Sequence, residues 1–246
     1  KLTVWSGELA GVLWGNGLTL LVLLGMGLDL TIRLGLVQIR GFRHSIALIS
    51  GTYHCPEHKG QITHFQALST ALSATVGTGN IAGVATAISL GGPGALFWMW
   101  MTAFFGMATK FTECTLSLKF RQIDEQGVIS GGPMYTLLHG LKMKRMAMLF
   151  ASFALIASFG IGNMVQANSV VDGLGYLFPE VRDNAWLVGG VLAFLVGMVI
   201  LGGVRRIARV ASTIVPFMAL LYVGAAILVL INHAGQITSA LATIFN

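Results

Sequence analysis

A glycine-rich polar segment interrupts a long apolar stretch of the sequence. Residues 60–109 contain no Asp, Glu, Lys or Arg, yet residues 73–83 read Ser-Ala-Thr-Val-Gly-Thr-Gly-Asn-Ile-Ala-Gly, and we call these the glycine break. A helix that only crosses lipid gains nothing from flexible glycines and an Asn, because unpaired backbone N–H and C=O groups are costly in hydrocarbon. Exposed amides at such a break can hold an anion, and exposed carbonyls can hold a cation. The segment therefore predicts a membrane helix that is broken near its centre and coordinates a solute.

The same glycines match two other patterns, a dinucleotide fingerprint and a helix-packing step. Gly77-x-Gly79-x-x-Ala82 formally matches a dinucleotide fingerprint, but that motif needs a preceding strand and an acidic residue about 20 positions on. The preceding residues are small and helical in character, and the next acidic residue is Glu113, so we discard nucleotide binding. Gly79 and Gly83 also form a GxxxG step, which is typical of contacts between membrane helices. Helix packing stays open, although the Ser, Thr and Asn residues of the break supply more polar groups than packing needs.

The composition is that of a polytopic membrane protein. Of 246 residues, 55% are hydrophobic and 10% are charged, and the mean hydropathy is +0.79. A soluble domain of this length would be less apolar. The net charge of +6 would suggest nucleic acid in a soluble protein, but here the basic residues cluster between apolar stretches, where they report membrane orientation. We therefore expect a chain embedded in the lipid bilayer, with no nucleic-acid partner.

No constellation of reactive residues indicates an enzyme. The sequence shows no convincing Ser-His-Asp arrangement, paired catalytic carboxylates or haem signature, so we expect neither catalytic residues nor a cofactor. Residues 54–58 read His-Cys-Pro-Glu-His, but a single compact loop with one thiol is weak evidence for zinc. Only two cysteines occur, Cys55 and Cys114, so a disulfide framework is not expected.

Six apolar segments are each long enough to cross a bilayer, which takes about 20 residues. They lie near 9–32, 65–90, 95–120, 146–177, 184–204 and 210–232. By the positive-inside rule, a cytoplasmic 33–64 loop leaves only Lys1 and Arg182 of the 15 basic residues outside. The last cytoplasmic cluster then consists of Arg205, Arg206 and Arg209. We predict an all-α polytopic membrane protein with about six transmembrane helices and an external N-terminus.

The third loop, at 121–145, contains a potential helix start. Gly132 and Pro133 form a Gly-Pro turn, and residues 134–142 after it have an amphipathic pattern. The loop therefore predicts a short amphipathic helix at the inner membrane face.

Two charged pairs lie at helical spacing. Lys110 and Glu113 stand three residues apart near the inner end of the third span, which suits an ion pair. Charges within membrane spans are often functional. We favour a structural ion pair near the cytoplasmic gate and keep a gating role open. Asp29 is expected to lie at the interface or to pair with Arg33, one helical turn away.

Three uncharged amides lie deep in the fourth span, at Asn163, Gln166 and Asn168. Asn163 and Gln166 are three residues apart and share a helix face, whereas Asn168 lies away from it. Hydrogen bonding between helices is the structural alternative for all three. For Gln166 we favour contact with an amino-acid substrate, and Asn163 is the second candidate.

Several segments of the chain resemble the alanine/glycine:cation symporter family, the sodium:alanine symporters. The longest is Ala67 to Ala87, which reads Ala-Leu-Ser-Thr-Ala-Leu-Ser-Ala-Thr-Val-Gly-Thr-Gly-Asn-Ile-Ala-Gly-Val-Ala-Thr-Ala. The resemblance continues through Gly91–Ala95, Lys110–Glu113, Gly131–Tyr135 and Gly162–Asn168. It covers most of the chain from about residue 60 to 210. The broken helix also resembles the first core helix of sodium-coupled transporters built from five-plus-five inverted repeats.

This resemblance implies residues for each ligand. Sodium would be held mainly by backbone carbonyls that end the first half-helix, around Ser73, Thr75 and Val76. The carboxylate of an amino acid would be held by backbone N–H groups that open the second half-helix, around Gly77, Thr78 and Gly79. Asn80 would offer an oxygen to a cation or fix the unwound backbone. Gly77 and Gly79 would let the substrate lie against the main chain, where a Cβ would intrude.

The resemblance also implies a division of the chain. Residues 1–64 would form an extra N-terminal transmembrane helix and a cytoplasmic loop, and residues 65–246 the first inverted repeat of the core. The second repeat would be absent, so we expect the N-terminal portion of a longer transporter.

The expected function is sodium-coupled symport of a small neutral amino acid, alanine or glycine, across the cytoplasmic membrane by alternating access. A neutral substrate is favoured because the glycine break contains no charged residue. The alternatives left open are a transporter or channel for a different small solute or cation, and an inactive half-transporter.

Overall fold

The computed structural model describes residues 7–8, 11–15, 17–53 and 62–245, and most of them are helical. The α-helices are α1 Leu18–Arg33, α2 Val37–Arg40, α3 Phe42–Ile49, α4 His64–Thr75, α5 Val84–Gly91, α6 Gly94–Lys119, α7 Pro133–Tyr135, α8 Lys144–Phe159, α9 Val165–Leu177, α10 Glu180–Asp183, α11 Ala185–Ile200, α12 Gly203–Asn232 and α13 Ile237–Phe245. π-Helical turns occupy Gly11–Gly15, Gly79–Gly83, Thr136–Gly140 and Gly160–Met164, and a 3-10 turn occupies Ala234–Gln236. Two short strands, β1 Gln122–Ile123 and β2 Ile129–Ser130, form an antiparallel hairpin.

The helical class is as predicted, but fewer spans than the six expected stand out. Within the described residues, Lys144–Leu177 and Gly203–Asn232 are long and apolar enough to cross a membrane. A third candidate is the bent pair His64–Thr75 and Gly79–Gly91. Helices α1 and α11 have 16 residues each, which is short of the about 20 that a bilayer requires. Helix α6 is longer, but its polar and charged side chains lower its mean hydropathy.

The predicted third loop contains both a hairpin and a helix start. The hairpin was missed, because each strand is only two residues long. Its turn is fixed by the Asp124 carboxylate, which accepts hydrogen bonds from the N–H groups of Gln126 and Val128 at 3.0 and 2.7 Å. The expected helix does begin at a Gly-Pro turn, since Pro133 is the first helical residue after Gly132.

The chain forms two compact units. One comprises residues 1–45 and 96–147, and the other comprises residues 46–95 and 148–246. These units are defined by contacts within the structure. The predicted division at residue 64, between an extra N-terminal helix with its loop and the first repeat, has a different basis and stays a prediction.

In the first unit, a short polar network joins α1, α2 and α6. Thr31 is buried and its hydroxyl donates to the Gly27 carbonyl at 2.7 Å. The Gln38 amide donates both to the Thr31 hydroxyl at 2.7 Å and to the Phe104 carbonyl at 3.2 Å. Gly27 lies so close to Phe105 that a Cβ there would come within 3.0 Å of it. The network therefore supplies hydrogen bonds where helix backbones approach closely.

In the second unit, α12 packs along α4, the first half of the broken helix. The buried face of α12 consists of Ala208, Ala211 and Val215, which follow one another at helical spacing. On α4, Ser69 is buried with a relative exposure of 2%. Small residues at these positions let the two backbones come close, so α12 holds α4 in place.

We expect Ala208→Leu to destabilise the protein, because Ala208 is 0% exposed and the added methyl groups have no room. Overpacking of this kind costs about 1–3 kcal/mol, which thermal unfolding of the purified protein would detect as a lower Tm. Ala225→Leu, on the exposed part of the same helix, is the matched control and should leave Tm almost unchanged. Equal Tm values for the two variants would contradict the packing described above.

Candidate functional site

The first half of the broken helix has a defined start and end. The Thr63 hydroxyl accepts from the Gln66 N–H at 3.2 Å, and the Gln66 side chain accepts from the Thr63 N–H at 3.1 Å, which is a capping box. Helix α4 ends at Thr75, because Val76 adopts an extended conformation with φ −83° and ψ 104°. The chain therefore leaves the helix inside the glycine break, as predicted.

The second half begins at Gly79, after three intervening residues, and runs in a different direction. It opens with the π-helical turn at Gly79–Gly83 and continues as α5 to Gly91. Its axis is bent by 55° from that of α4. The predicted broken helix is thus confirmed. By the geometry of any helix, the last carbonyls of α4 and the first N–H groups of the second half lack partners within their own helices.

Asn80 joins the two halves across the bend. Its side-chain amide donates to the Thr75 carbonyl at 3.0 Å, and its backbone N–H donates to the Gly77 carbonyl at 3.1 Å. These hydrogen bonds are of the kind that one of the two predicted roles, fixing the unwound backbone, would need, and the role of Asn80 at the site stays a prediction. Its side-chain oxygen is not used in that contact.

The last turn of α4 carries side-chain hydroxyls as well as backbone carbonyls. The Ser73 hydroxyl donates to the Thr70 carbonyl and the Thr75 hydroxyl donates to the Ala71 carbonyl, each at 2.7 Å. Each hydroxyl oxygen keeps lone pairs after donating, and the Thr75 carbonyl keeps one after accepting from Asn80. Together with the Val76 carbonyl, these neutral oxygens have the hard-ligand chemistry that a sodium ion requires.

Gly77 and Gln166, two of the predicted substrate residues, lie against each other. A Cβ built on Gly77 would lie 3.1 Å from Nε2 and 3.5 Å from Oε1 of Gln166. Residue 77 therefore has to be small for the Gln166 amide to occupy this position. The structure brings α9 and the break together at one point, with a donor and an acceptor of one side-chain amide beside the unwound backbone.

Gly79 and Thr78 have more open surroundings. A Cβ on Gly79 would meet nothing within 4 Å. Thr78 precedes the π-helical turn in helical conformation and makes no side-chain cap hydrogen bond. Space is therefore available beside the backbone that opens the second half-helix.

A second helix interruption lies just before Gln166. The predicted fourth span is one helical segment, Lys144–Leu177, but Gly160–Met164 within it is a π-helical turn that contains Asn163. Within the described chain, the Asn163 side chain makes no hydrogen bond. Asn168 instead donates to Asp172 at 2.9 Å. Sequence reasoning missed this π-helical turn, although Gly160 and Gly162 mark it.

The Lys110–Glu113 pair is present at the predicted spacing. Lys110 Nζ lies 3.1 Å from Glu113 Oε2, and the side chains are 65% and 44% exposed. The Asp29–Arg33 pair is present too, at 2.8 Å. The first pair belongs to the unit formed by residues 1–45 and 96–147, whereas the glycine break belongs to the other. Its role as a gate stays a prediction.

The possible zinc loop at residues 54–58 lies outside the described residues. In the part of the chain that the structure describes, no three His, Cys, Asp or Glu side chains gather as a metal site.

Comparison with known proteins identifies the family. The sequence model of the sodium:alanine symporter family matches residues 1–246. The sodium/alanine symporter AgcS of Methanococcus maripaludis is 48% identical over 237 residues, which are 95% of this chain and 51% of that protein. A putative sodium/proton-dependent alanine carrier protein of Bacillus subtilis, YrbD, is 40% identical over 97% of this chain and 48% of its own length. The probable sodium/glutamine symporter GlnT of Bacillus subtilis is 38% identical over 95% of this chain and 48% of its own length.

The chain spans about half the length of these curated relatives. The match to the family nevertheless runs through the whole sequence, including the glycine break and the Gln166 segment. The chain therefore belongs to the sodium:alanine symporter family, which is a family of membrane transporters and not of enzymes.

Proposed function

We propose that this chain provides the substrate-binding break of a sodium-coupled symporter for small neutral amino acids, with alanine or glycine as substrate. The observation that carries the proposal is the 55° bend at the glycine break, with the Gln166 amide against Gly77. The bend separates a group of oxygens at the end of one half-helix from a group of N–H donors at the start of the next.

The substrate's carboxylate would bind at the start of the second half-helix. The N–H groups of Gly77, Thr78 and Gly79 are the proposed donors, and the positive end of the helix dipole favours an anion there. Among the described residues, a Cβ at Gly79 would meet no neighbouring side chain within 4 Å, which supports this position because a ligand needs that space.

Sodium would bind at the end of the first half-helix. Oxygens of Ser73, Thr75 and Val76 are the proposed ligands. Asn80 supports the site by holding the Thr75 carbonyl in place at 3.0 Å. A cation and a carboxylate bound on opposite sides of one short break would attract each other, which gives a physical basis for coupled transport.

Gln166 would orient the amino acid. Its amide offers both a donor and an acceptor, as the ammonium and carboxylate of a substrate require. Asn163 is proposed as a more distant contributor from the π-helical turn. A small neutral side chain is favoured because residues 60–109 carry no charge that could pair with a charged one. A larger neutral substrate is the competing possibility, since one relative is named as a probable glutamine symporter.

For the whole transporter we propose six membrane segments in this chain, at the positions predicted from sequence, and an external N-terminus. They would form one extra helix and the first of two inverted five-helix repeats at the cytoplasmic membrane. Lys110 and Glu113 would lie near the inner gate. Alternating access would carry the solutes across without covalent chemistry.

Uptake by the full-length protein tests the proposed function directly. We expect radiolabelled alanine to accumulate in proteoliposomes when an inward sodium gradient is imposed, and not when potassium replaces sodium. Unlabelled glycine should compete strongly and glutamine weakly. Strong competition by glutamine but not by glycine would show that glutamine is the substrate. Uptake at the same rate with and without a cation gradient would refute sodium coupling.

Gly79→Leu should abolish alanine binding and leave folding intact. A side chain at residue 79 meets open space, so the protein accommodates it, but the leucine fills the proposed carboxylate position. Gly83→Leu is the matched control, because a Cβ there also meets nothing within 4 Å and it lies one turn further along. Alanine binding is measured by isothermal titration, and Tm reports folding. The proposed site is wrong if Gly79→Leu binds alanine normally.

Gln166→Leu should weaken alanine binding by about tenfold, the loss expected when one hydrogen bond to a charged group is removed. Its Tm should stay close to that of the unchanged protein, because the Gln166 side chain is exposed. Asn168→Leu removes an exposed amide from the same helix and should leave alanine affinity unchanged. A lowered Tm with unaltered affinity in Gln166→Leu would favour a packing role for this residue.

A further inference from the structure

A basic cavity lies at the start of α12. It has a volume of about 490 Å³ and is lined by Gly202, Arg205, Arg206, Arg209 and Val210, and we call it the arginine cavity. The preceding helix, α11, ends at Ile200, and the chain turns into α12 at Gly203, which has a φ of +68°. The cavity therefore lies at one end of a 30-residue candidate membrane span.

The arginines face away from the packed side of the helix. Arg205 and Arg209 are four residues apart, so they follow one another on one face, and Arg206 lies beside them. All three side chains are exposed, whereas Ala208 in the same turn is completely buried. The three guanidinium groups therefore belong to the outer surface of α12, and helix packing does not account for them.

Arg206 is held over the backbone of the turn. A Cβ on Gly202 would collide with the Arg206 side chain, so residue 202 must lack one for Arg206 to lie there. Part of the cavity wall is thus the side chain of Arg206 resting on bare backbone, which restricts its conformations before any ligand binds.

In the part of the chain that the structure describes, no salt bridge balances the positive charge of the cavity. The two ion pairs among the described residues, Asp29–Arg33 and Lys110–Glu113, do not involve these arginines. The N-terminal end of a long helix adds a partial positive charge at the same place. Guanidinium groups bind phosphate through paired hydrogen bonds, so the chemistry of the cavity suits a phosphate group.

The surroundings indicate where that phosphate comes from. The cavity lies where the apolar helix α11 meets α12, a helix with a mean hydropathy of 2.7 over its most apolar window. The end of such a span lies at the level of lipid headgroups, and clusters of basic residues beside a membrane span attract anionic headgroups. We propose that the arginine cavity binds the phosphate group of an anionic phospholipid. This site is independent of the proposed amino-acid site.

Lipid binding by the full-length protein in detergent tests the proposal. The probes are phosphatidylglycerol, phosphatidylcholine and inorganic phosphate, and the readouts are Tm and the number of lipids retained in native mass spectrometry. Phosphatidylglycerol should raise Tm and stay bound, whereas the other two should not. In R205Q/R206Q/R209Q the apparent affinity for phosphatidylglycerol should fall by about tenfold.

A second triple variant shows whether lipid binding depends on the arginine cavity or only on the net positive charge of the protein. K142Q/K144Q/R145Q removes three exposed basic residues from another part of the chain and should bind phosphatidylglycerol as the unchanged protein does. An equal loss in both triple variants would overturn the proposal, as would full binding by the arginine variant. A Tm rise with inorganic phosphate that is lost only in the arginine variant would assign the cavity to free phosphate and overturn the lipid source.

Single variants replace the triple variant if it does not fold. R206Q should lose much of the bound phosphatidylglycerol, and R206K should retain more of it, because lysine keeps the charge without the paired hydrogen bonds. Equal retention by R206Q and the unchanged protein would then overturn the proposal.

Discussion

Backbone hydrogen bonding in apolar surroundings is the constraint on which the rest of this structure depends. A membrane helix satisfies its own N–H and C=O groups, so leaving the helix at Val76 and resuming it at Gly79 exposes groups that need other partners. Asn80 supplies one of them by donating to the Thr75 carbonyl at 3.0 Å. The carbonyls that end α4 and the N–H groups that open the second half-helix are the groups on which the proposed site is based.

The rest of the second unit supports that break. Helix α12 packs along α4 through small buried residues, and Ser69 is almost fully covered. Close packing of this kind holds the first half-helix, so the change of direction is confined to residues after Thr75. On the other side, Gln166 occupies the space next to Gly77. One helix thus fixes the start of the break and another contacts its centre.

The parts of the site that are local in sequence were predictable, and the parts that depend on packing were not. The glycines and Asn80 indicated the break, and the three-residue spacing indicated the Lys110–Glu113 pair, because both depend on neighbours in the chain. The contact between Gly77 and Gln166 joins residues far apart in sequence. The sequence therefore indicated each residue as a candidate for substrate binding, but it could not predict that the two lie against each other. The π-helical turn at Gly160–Met164 depends on how the helix packs against its neighbours. The hydrophobic pattern continues through these residues, so it does not predict the turn. Fewer candidate spans than six stand out among the described residues for a related reason, since α1 and α11 are bounded by turns within apolar sequence and have 16 residues each.

The Asn80 hydrogen bond has a consequence for energetic coupling. The carbonyl of Thr75 fixes the bend by accepting from Asn80, and the same oxygen is a proposed ligand of the coupling ion. A cation that withdraws electron density from this oxygen changes the strength of the hydrogen bond across the bend. If the ion binds there, its occupancy and the angle between the half-helices would be linked through one atom, and linkage is reciprocal. A change of conformation that alters this hydrogen bond would change the free energy of ion binding. By the same amount, ion binding would change the free-energy difference between the conformations.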